Sequence, residues 1–222
     1  MTPRTSAWLG GVFLALGILG VWGPWRVGGP LPYGAPGGMM GGGVGGMMGG
    51  GATMMGGTGS ANGSTRISAA SVAALVRQGE TGARIDRAAD TITYRGRTAL
   101  VVALASPHGA PNMTWEIDGL VNPTIRIPAG TRVTVDLVNT DWGYWHGFEL
   151  TPTPPPYPDM AMMGIANQFL LMPLPERTTQ NLATAQYATC SGRFTATRGT
   201  YYYLCPVPGH AQQGMYGKLV IS

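Results

Sequence analysis

Residues 199–222 read GTYYYLCPVPGHAQQGMYGKLVIS: a strand-like run, a short loop and a second strand-like run that closes the chain. The first run, TYYYLC, is rich in aromatic β-formers, and the second, MYGKLVIS, alternates apolar and polar positions as a half-buried strand does. In the loop between them, Cys205, His210 and Met215 are separated by four residues each, and Pro206 and Pro208 stiffen the chain between the first two. A thiolate, an imidazole and a thioether are thereby brought within reach of one ion, the soft and borderline donors that suit copper.

Outward from that loop, the same period of two recurs. TITYRG, TALVVALAS, MTWEID, PTIRIPAG and TRVTVDLVNT precede it, with HGFEL and RFTA nearer to it. Gly and Pro punctuate these runs at short intervals, so about eight strands are predicted and the fold class is an all-β sandwich. One helix leads it: in RISAASVAALVRQGE, Ser68 is the candidate cap, Val72, Leu75 and Val76 share a face, and Gly79 is a candidate end. The Pro-rich stretch from Thr151 to Asn181 has weak periodicity and reads as a long irregular excursion.

The three soft donors need a fourth partner, and the chain has only two other histidines, His108 and His146. His146 opens the strand-like HGFEL among Trp142, Tyr144, Trp145 and Phe148, which are expected to shield an ion from water. His108 stands between Pro107 and Gly109 in a segment that reads as exposed. His146 is therefore the expected ligand, completing the two imidazoles, thiolate and weak thioether of a type 1 copper site. A disulfide between Cys190 and Cys205 is the competing use of the only two cysteines; if Cys205 binds metal, Cys190 is expected to be a buried, inert thiol.

The N-terminal part differs in kind. Residues 5 to 25 carry no charge, are bracketed by Arg4 and Arg26, and have Trp8 and Trp22 near the ends. That length spans a bilayer, and no small-residue cleavage site follows it, so residues 1–26 are expected to be an uncleaved membrane anchor rather than a signal peptide. Residues 27–64 are Gly-dominated and cannot bury a core; as a coil of about 38 residues they would reach roughly 35 Å. Within them, the pairs Met39/Met40, Met47/Met48 and Met54/Met55 offer thioethers suited to Cu(I), which opens a second reading: copper delivery or storage. The globular domain is then residues 65–222.

Charge narrows the function classes. The chain's formal charge is +4, but Arg4 and Arg26 lie outside the domain, leaving 12 basic against 10 acidic residues, scattered without a run or stripe. No nucleic-acid surface is expected. Charged residues make up 11% of the chain, so acid changes its charge little and an acid-tolerant fold is expected. Three histidines are too few for the extra copper ions of multicopper oxidases or copper nitrite reductases, so the expected role is carrier, not enzyme.

From about Ile67 to Ser222 the sequence resembles the rusticyanin-like cupredoxins and, more loosely, the sulfocyanins. The resemblance is carried by DTITYRGRTALVVALA, by NPTIRIPAGTRVTVDLVNT with the His146 segment after it, and above all by residues 199–222, which match without a gap. It implies a Greek-key cupredoxin sandwich and one copper ion held by His146, Cys205, His210 and Met215. It also implies single-electron transfer between Cu(II) and Cu(I) in a periplasmic respiratory chain, as in iron oxidation, with partners such as cytochromes or a terminal oxidase complex. The carrier is expected to be a monomer, attached to the membrane through its N-terminus as sulfocyanins are, with electrons entering along His210. The family has Ser after the first ligand His; this chain has Gly147, so a hydroxyl that would tune the metal is missing.

Overall fold

The computed structural model describes residues 63–222; the expected anchor, most of the expected tether and the three Met pairs lie outside them. In chain order the elements are β1 (Thr65–Ser68), α1 (Ala69–Glu80), β2 (Ala83–Asp86), β3 (Thr91–Tyr94), β4 (Thr98–Ala105), β5 (Trp115–Ile117) and β6 (Leu120–Val121). They continue with β7 (Thr124–Ile127), β8 (Arg132–Asn139), β9 (His146–Thr151), α2 (Ala161–Gly164), β10 (Phe169–Leu174), β11 (Gln186–Thr195), β12 (Gly199–Leu204) and β13 (Tyr216–Ile221). Two sheets form, β1-β11-β8-β4-β5-β6 and β10-β9-β12-β13-β7-β3-β2. The fold is mostly β with few helices, a two-sheet sandwich. No helix among the described residues is long and apolar enough to cross a membrane.

Alternation explains the layers. Val133, Val135 and Leu137 of β8 and Val101 and Ala103 of β4 point between the sheets, where they meet Phe148, Leu150, Tyr203 and Leu219 from the other side. The run TALVVALA is apolar on both faces for a reason: Val102 and Leu104 point outward and are covered by Val72, Leu75 and Val76 of α1. The helix starts where expected, with the Ser68 hydroxyl accepting from the Ser71 amide at 3.2 Å. Fully burying one such Val or Leu contributes about 1.5–3 kcal/mol, so this helix is held by its apolar stripe more than by its single cap.

The Pro-rich excursion is more ordered than its periodicity suggests. It contains α2 and the whole of β10, which pairs antiparallel with β9 at the edge of the second sheet. The register of that pair shifts between Leu171 and Leu174, around Pro173, which cannot donate to the ladder. Tyr157 and Ala161 of the same excursion pack on Leu204 and Ala211, covering the outside of the second sheet beside residues 205–215. β11 is also longer than RFTA; its burial alternation runs on through Gly192, an inward position without a side chain, where a Cβ would lie 2.7 Å from Leu171 and Phe169 side-chain atoms.

Candidate metal centre

Two segments meet at one end of the sandwich. β12 ends at Leu204, and Cys205 opens the loop that returns as β13. That loop closes on itself: the Cys205 amide donates to the Met215 carbonyl at 3.1 Å, Met215 to His210 at 3.0 Å and His210 to Val207 at 3.1 Å. Two contacts fix it from outside. The Asn122 side chain donates to the Gly214 carbonyl at 3.0 Å while accepting from the Trp115 amide, and the Gly209 amide donates to the Asp159 carbonyl at 2.9 Å. Gly209 has φ +79°, which favours glycine, and a Cβ there would crowd the Asp159 carboxylate at 3.2 Å.

The second segment, residues 139–146, is held by remote partners. Asn139, fully buried, donates to the carbonyls of Tyr144 and Leu174 at 2.9 Å each and accepts from the Asp141 amide. Arg177 donates from Nη1 to the Thr140 carbonyl at 2.7 Å and from its amide to the Asp141 carbonyl at 3.0 Å. Asp141 then takes the Trp142 amide on one carboxylate oxygen and His146 Nε2 on the other, at 2.8 Å. The carboxylate holds the proton on Nε2, which leaves the Nδ1 lone pair facing inward.

Three donor atoms converge there. Cys205 Sγ lies 3.7 Å from His146 Nδ1 and 3.4 Å from His210 Nδ1, and the two Nδ1 atoms are 3.2 Å apart. Donors placed about 2.0–2.3 Å from a common ion in a trigonal plane would be roughly 3.5–4 Å apart, so the spacing fits one ion between them. His146, Cys205 and His210 are also the only group of three or more His, Cys, Asp or Glu donors among the described residues close enough to share a metal. Met215 is fully buried in the same core cluster as Cys205. Exposure differs among the four: His146, Cys205 and Met215 have none, and His210 retains 4%.

Burial sets the protonation of the set. Burial, with the neighbouring His146 ring second, pushes His210 down to about 4, so its imidazole is neutral and free to coordinate at neutral pH. Burial pushes the Cys205 thiol up to about 12, against the backbone N–H groups of Val207 and Gly147 that favour the thiolate. A metal must therefore displace the thiol proton. At Gly147 a Cβ would meet the Leu171 carbonyl at 2.8 Å and Pro206 Cγ at 2.9 Å, so the position lacks room for a serine unless β10 or the loop moves.

One expectation is corrected. Of the four aromatics around His146, only Phe148 is buried, stacked on Tyr203 at 5.7 Å; Trp142, Tyr144 and Trp145 are 40–56% exposed. They form an outer rim, with Tyr144 edge-on to His210 at 5.8 Å, instead of lining a dry pocket. The seclusion of His146 comes from the network of Asn139 and Asp141 and from β10. His108 is exposed and outside the donor group, and Cys190 is a buried free thiol on β11. Asp141, Asn139 and Arg177 went unread in the sequence; a carboxylate five residues before the expected ligand His146 was the available signal, and it is indistinguishable from an ordinary turn aspartate.

A model of the sulfocyanin (SoxE) domain matches residues 88–222. Rusticyanin of Acidithiobacillus ferrooxidans is 38% identical over 137 residues, 60% of this chain and 68% of the relative. Rusticyanin of Acidithiobacillus ferridurans is 37% identical over the same shares. The 1.27 Å structure of rusticyanin from Thiobacillus ferrooxidans superposes with a TM-score of 0.65 at 32% identity, covering 72% of this chain and 97% of that one. A structure of reduced rusticyanin gives 0.64, covering all of that chain.

Proposed function

Because the chain belongs to the sulfocyanin (SoxE) domain family, as a rusticyanin-like cupredoxin, we propose that His146, Cys205, His210 and Met215 are the ligands through which it holds copper and passes single electrons. Membership makes it a blue copper electron-transfer protein with one type 1 copper ion. The observation that carries the ligand assignment is the convergence of Cys205 Sγ and two Nδ1 atoms within 3.2–3.7 Å in a place closed to solvent.

When bound, the ion supplies the one-electron couple between Cu(II) and Cu(I). The chain's own residues do the rest. Cys205 gives up its proton on loading, and two backbone N–H groups take its sulfur as acceptor. Asp141 orients His146, and the loop's internal hydrogen bonds hold Cys205, His210 and Met215 in one arrangement whatever the charge at the centre. A fixed donor set keeps reorganisation small. Phe148 and Tyr203 close the inner side to water. His210 has the only exposed edge of the four and is the route for electrons. The rim of Trp142, Tyr144 and Trp145 around it suits a weak, transient docking face for a cytochrome or oxidase partner.

The same reading places the carrier on the extracytoplasmic face of the membrane, with residues 1–26 as anchor, 27–64 as tether, 65–222 as the working domain, and iron oxidation as the process served. It rests on the uncharged 5–25 run and on kinship with rusticyanin. The visible spectrum of the oxidised, copper-loaded protein tests the site. An intense thiolate-to-copper band is expected, bleached by ferrous iron and absent in Cys205→Ser. A colourless loaded protein, or a Cys205→Ser variant that stays blue, would overturn the assignment. Membrane fractionation of the full chain against a chain starting at residue 27 tests the anchor.

A further inference from the structure

Against Asp141, with His146 not among its lining residues, lies a polar cavity of about 480 Å³ that electron transfer leaves unused. Its walls include Ser106, His108, Asn112, Asp141, Arg177 and Gln180. Two of them are more than nine-tenths buried and carry unspent donors. The Ser106 hydroxyl has no hydrogen-bond partner. Arg177 uses Nε on the Thr179 carbonyl and Nη1 on Thr140, and forms no ion pair among the described residues, which leaves Nη2 for the cavity. A buried guanidinium without a counter-ion is costly, and an unpaired buried hydroxyl adds to that cost.

We propose that this cavity binds a small inorganic oxyanion, sulfate or phosphate, and that the bound anion favours the oxidised form of the centre next to it. An oxyanion offers several acceptor oxygens, which match donors arriving from different directions: the planar guanidinium, a hydroxyl, an imidazole and two side-chain amides. Asp141 opposes it. Both of that carboxylate's oxygens are already engaged, by His146 Nε2 and the Trp142 amide. The oxidised centre adds net positive charge behind Asp141; the reduced centre does not. An anion in the cavity is one side chain removed from a ligand imidazole, so its affinity differs between the two states, and by reciprocity it shifts the midpoint potential.

The binding arm of the test does not depend on the copper reading. Sulfate is titrated into the full chain, with and without copper, at constant ionic strength, following the Arg177 Nε–H and Ser106 amide resonances by NMR. Saturation at one anion per protein is expected, weakened at least tenfold in His108→Gln and Ser106→Ala, with Arg177→Lys as a third variant if it folds. A linear shift, saturation equal in His108→Gln and Ser106→Ala, or the same curve with perchlorate would overturn the site. The redox arm rests on the electron-carrier reading. Tenfold tighter binding to the oxidised form lowers the midpoint by about 59 mV at saturating sulfate, and saturable binding with an unmoved midpoint would overturn the coupling. Loss of the blue band with sulfate binding intact would sink the copper assignment alone.

Discussion

The two halves of the centre are built differently. Residues 205–215 carry three of the proposed donors on one loop whose own amides and carbonyls close it, with Asn122, Asp159 and the Gly147 amide reaching in from elsewhere. Residues 139–146 bring one donor, and its position depends on Leu174 and Arg177, more than thirty residues further on, and on Ala105, whose carbonyl takes the Thr140 hydroxyl. A local loop needs mainly its own sequence to form. A remotely braced segment needs the rest of the fold first, and its geometry is exposed to changes far from the metal.

That contrast is open to test. The largest effect is expected on the braced side: Asn139→Ala removes three hydrogen bonds in a buried place and should destabilise the metal-free protein by about 3 kcal/mol. Asn122→Ala removes two on the loop side and should cost about 2 kcal/mol. Chemical denaturation of both variants measures the difference; equal losses would mean that the halves are equally dependent on remote contacts. Next in size is Asp141→Asn, which removes the charge behind His146 and leaves one of the two N–H groups that Asp141 accepts facing an amide NH2. Cu(II) should be held about tenfold less tightly relative to Cu(I), raising the midpoint by about 59 mV, as read by redox titration. An unchanged midpoint would reduce Asp141 to a turn residue.

On the loop side, loading copper at pH 7 should release about one proton per protein, because the thiol is pushed up to about 12 while His210 is already neutral. Unbuffered titration with a pH electrode counts it. Release of two would show that an imidazole also starts protonated. The smallest effect concerns Glu149, which points away from the centre on the outer face of β9. Both of its oxygens are buried without a partner, and burial raises it from 4.5 to about 7. The folded protein therefore binds this proton more tightly than the unfolded chain. Its contribution is fully present below 4.5 and is lost as pH rises through about 7. Asp118, raised by burial to about 6, acts in the same direction. Glu149→Gln should flatten the decline in stability over this window, measured as melting temperature against pH, and a slope equal to that of the parent would show the carboxyl to be hydrated. Both carboxyls favour the acid side.

The loop was legible because its candidate donors are neighbours in sequence and the runs on either side read plainly as strands, one by its aromatic β-formers and one by its alternation. The strands of the core were legible for the same reason, and Ser68 announced α1. What lay hidden is what depends on approach. β10 was obscured by Pro173, admissible only because that strand lies at a sheet edge. The length of β11 was obscured by Gly192, whose missing side chain makes way for Phe169 and Leu171. Trp142, Tyr144 and Trp145 looked like a lining because aromatics usually seek burial; a tightly turned segment with β10 behind it turned them outward.

The sheet connections carry one more consequence, a kinetic one. β4 pairs with β8, and β7 with both β3 and β13, all in parallel, so chain segments far apart in sequence must meet before either sheet is complete. Such long-range pairing slows folding to the millisecond-to-second range. His146 and Cys205, 59 residues apart, can face each other only after β9 has found β12. The proposed metal-binding arrangement is therefore an end product of folding, and a chain stalled on the way has a loop with three of the proposed donors but no fourth to close the site.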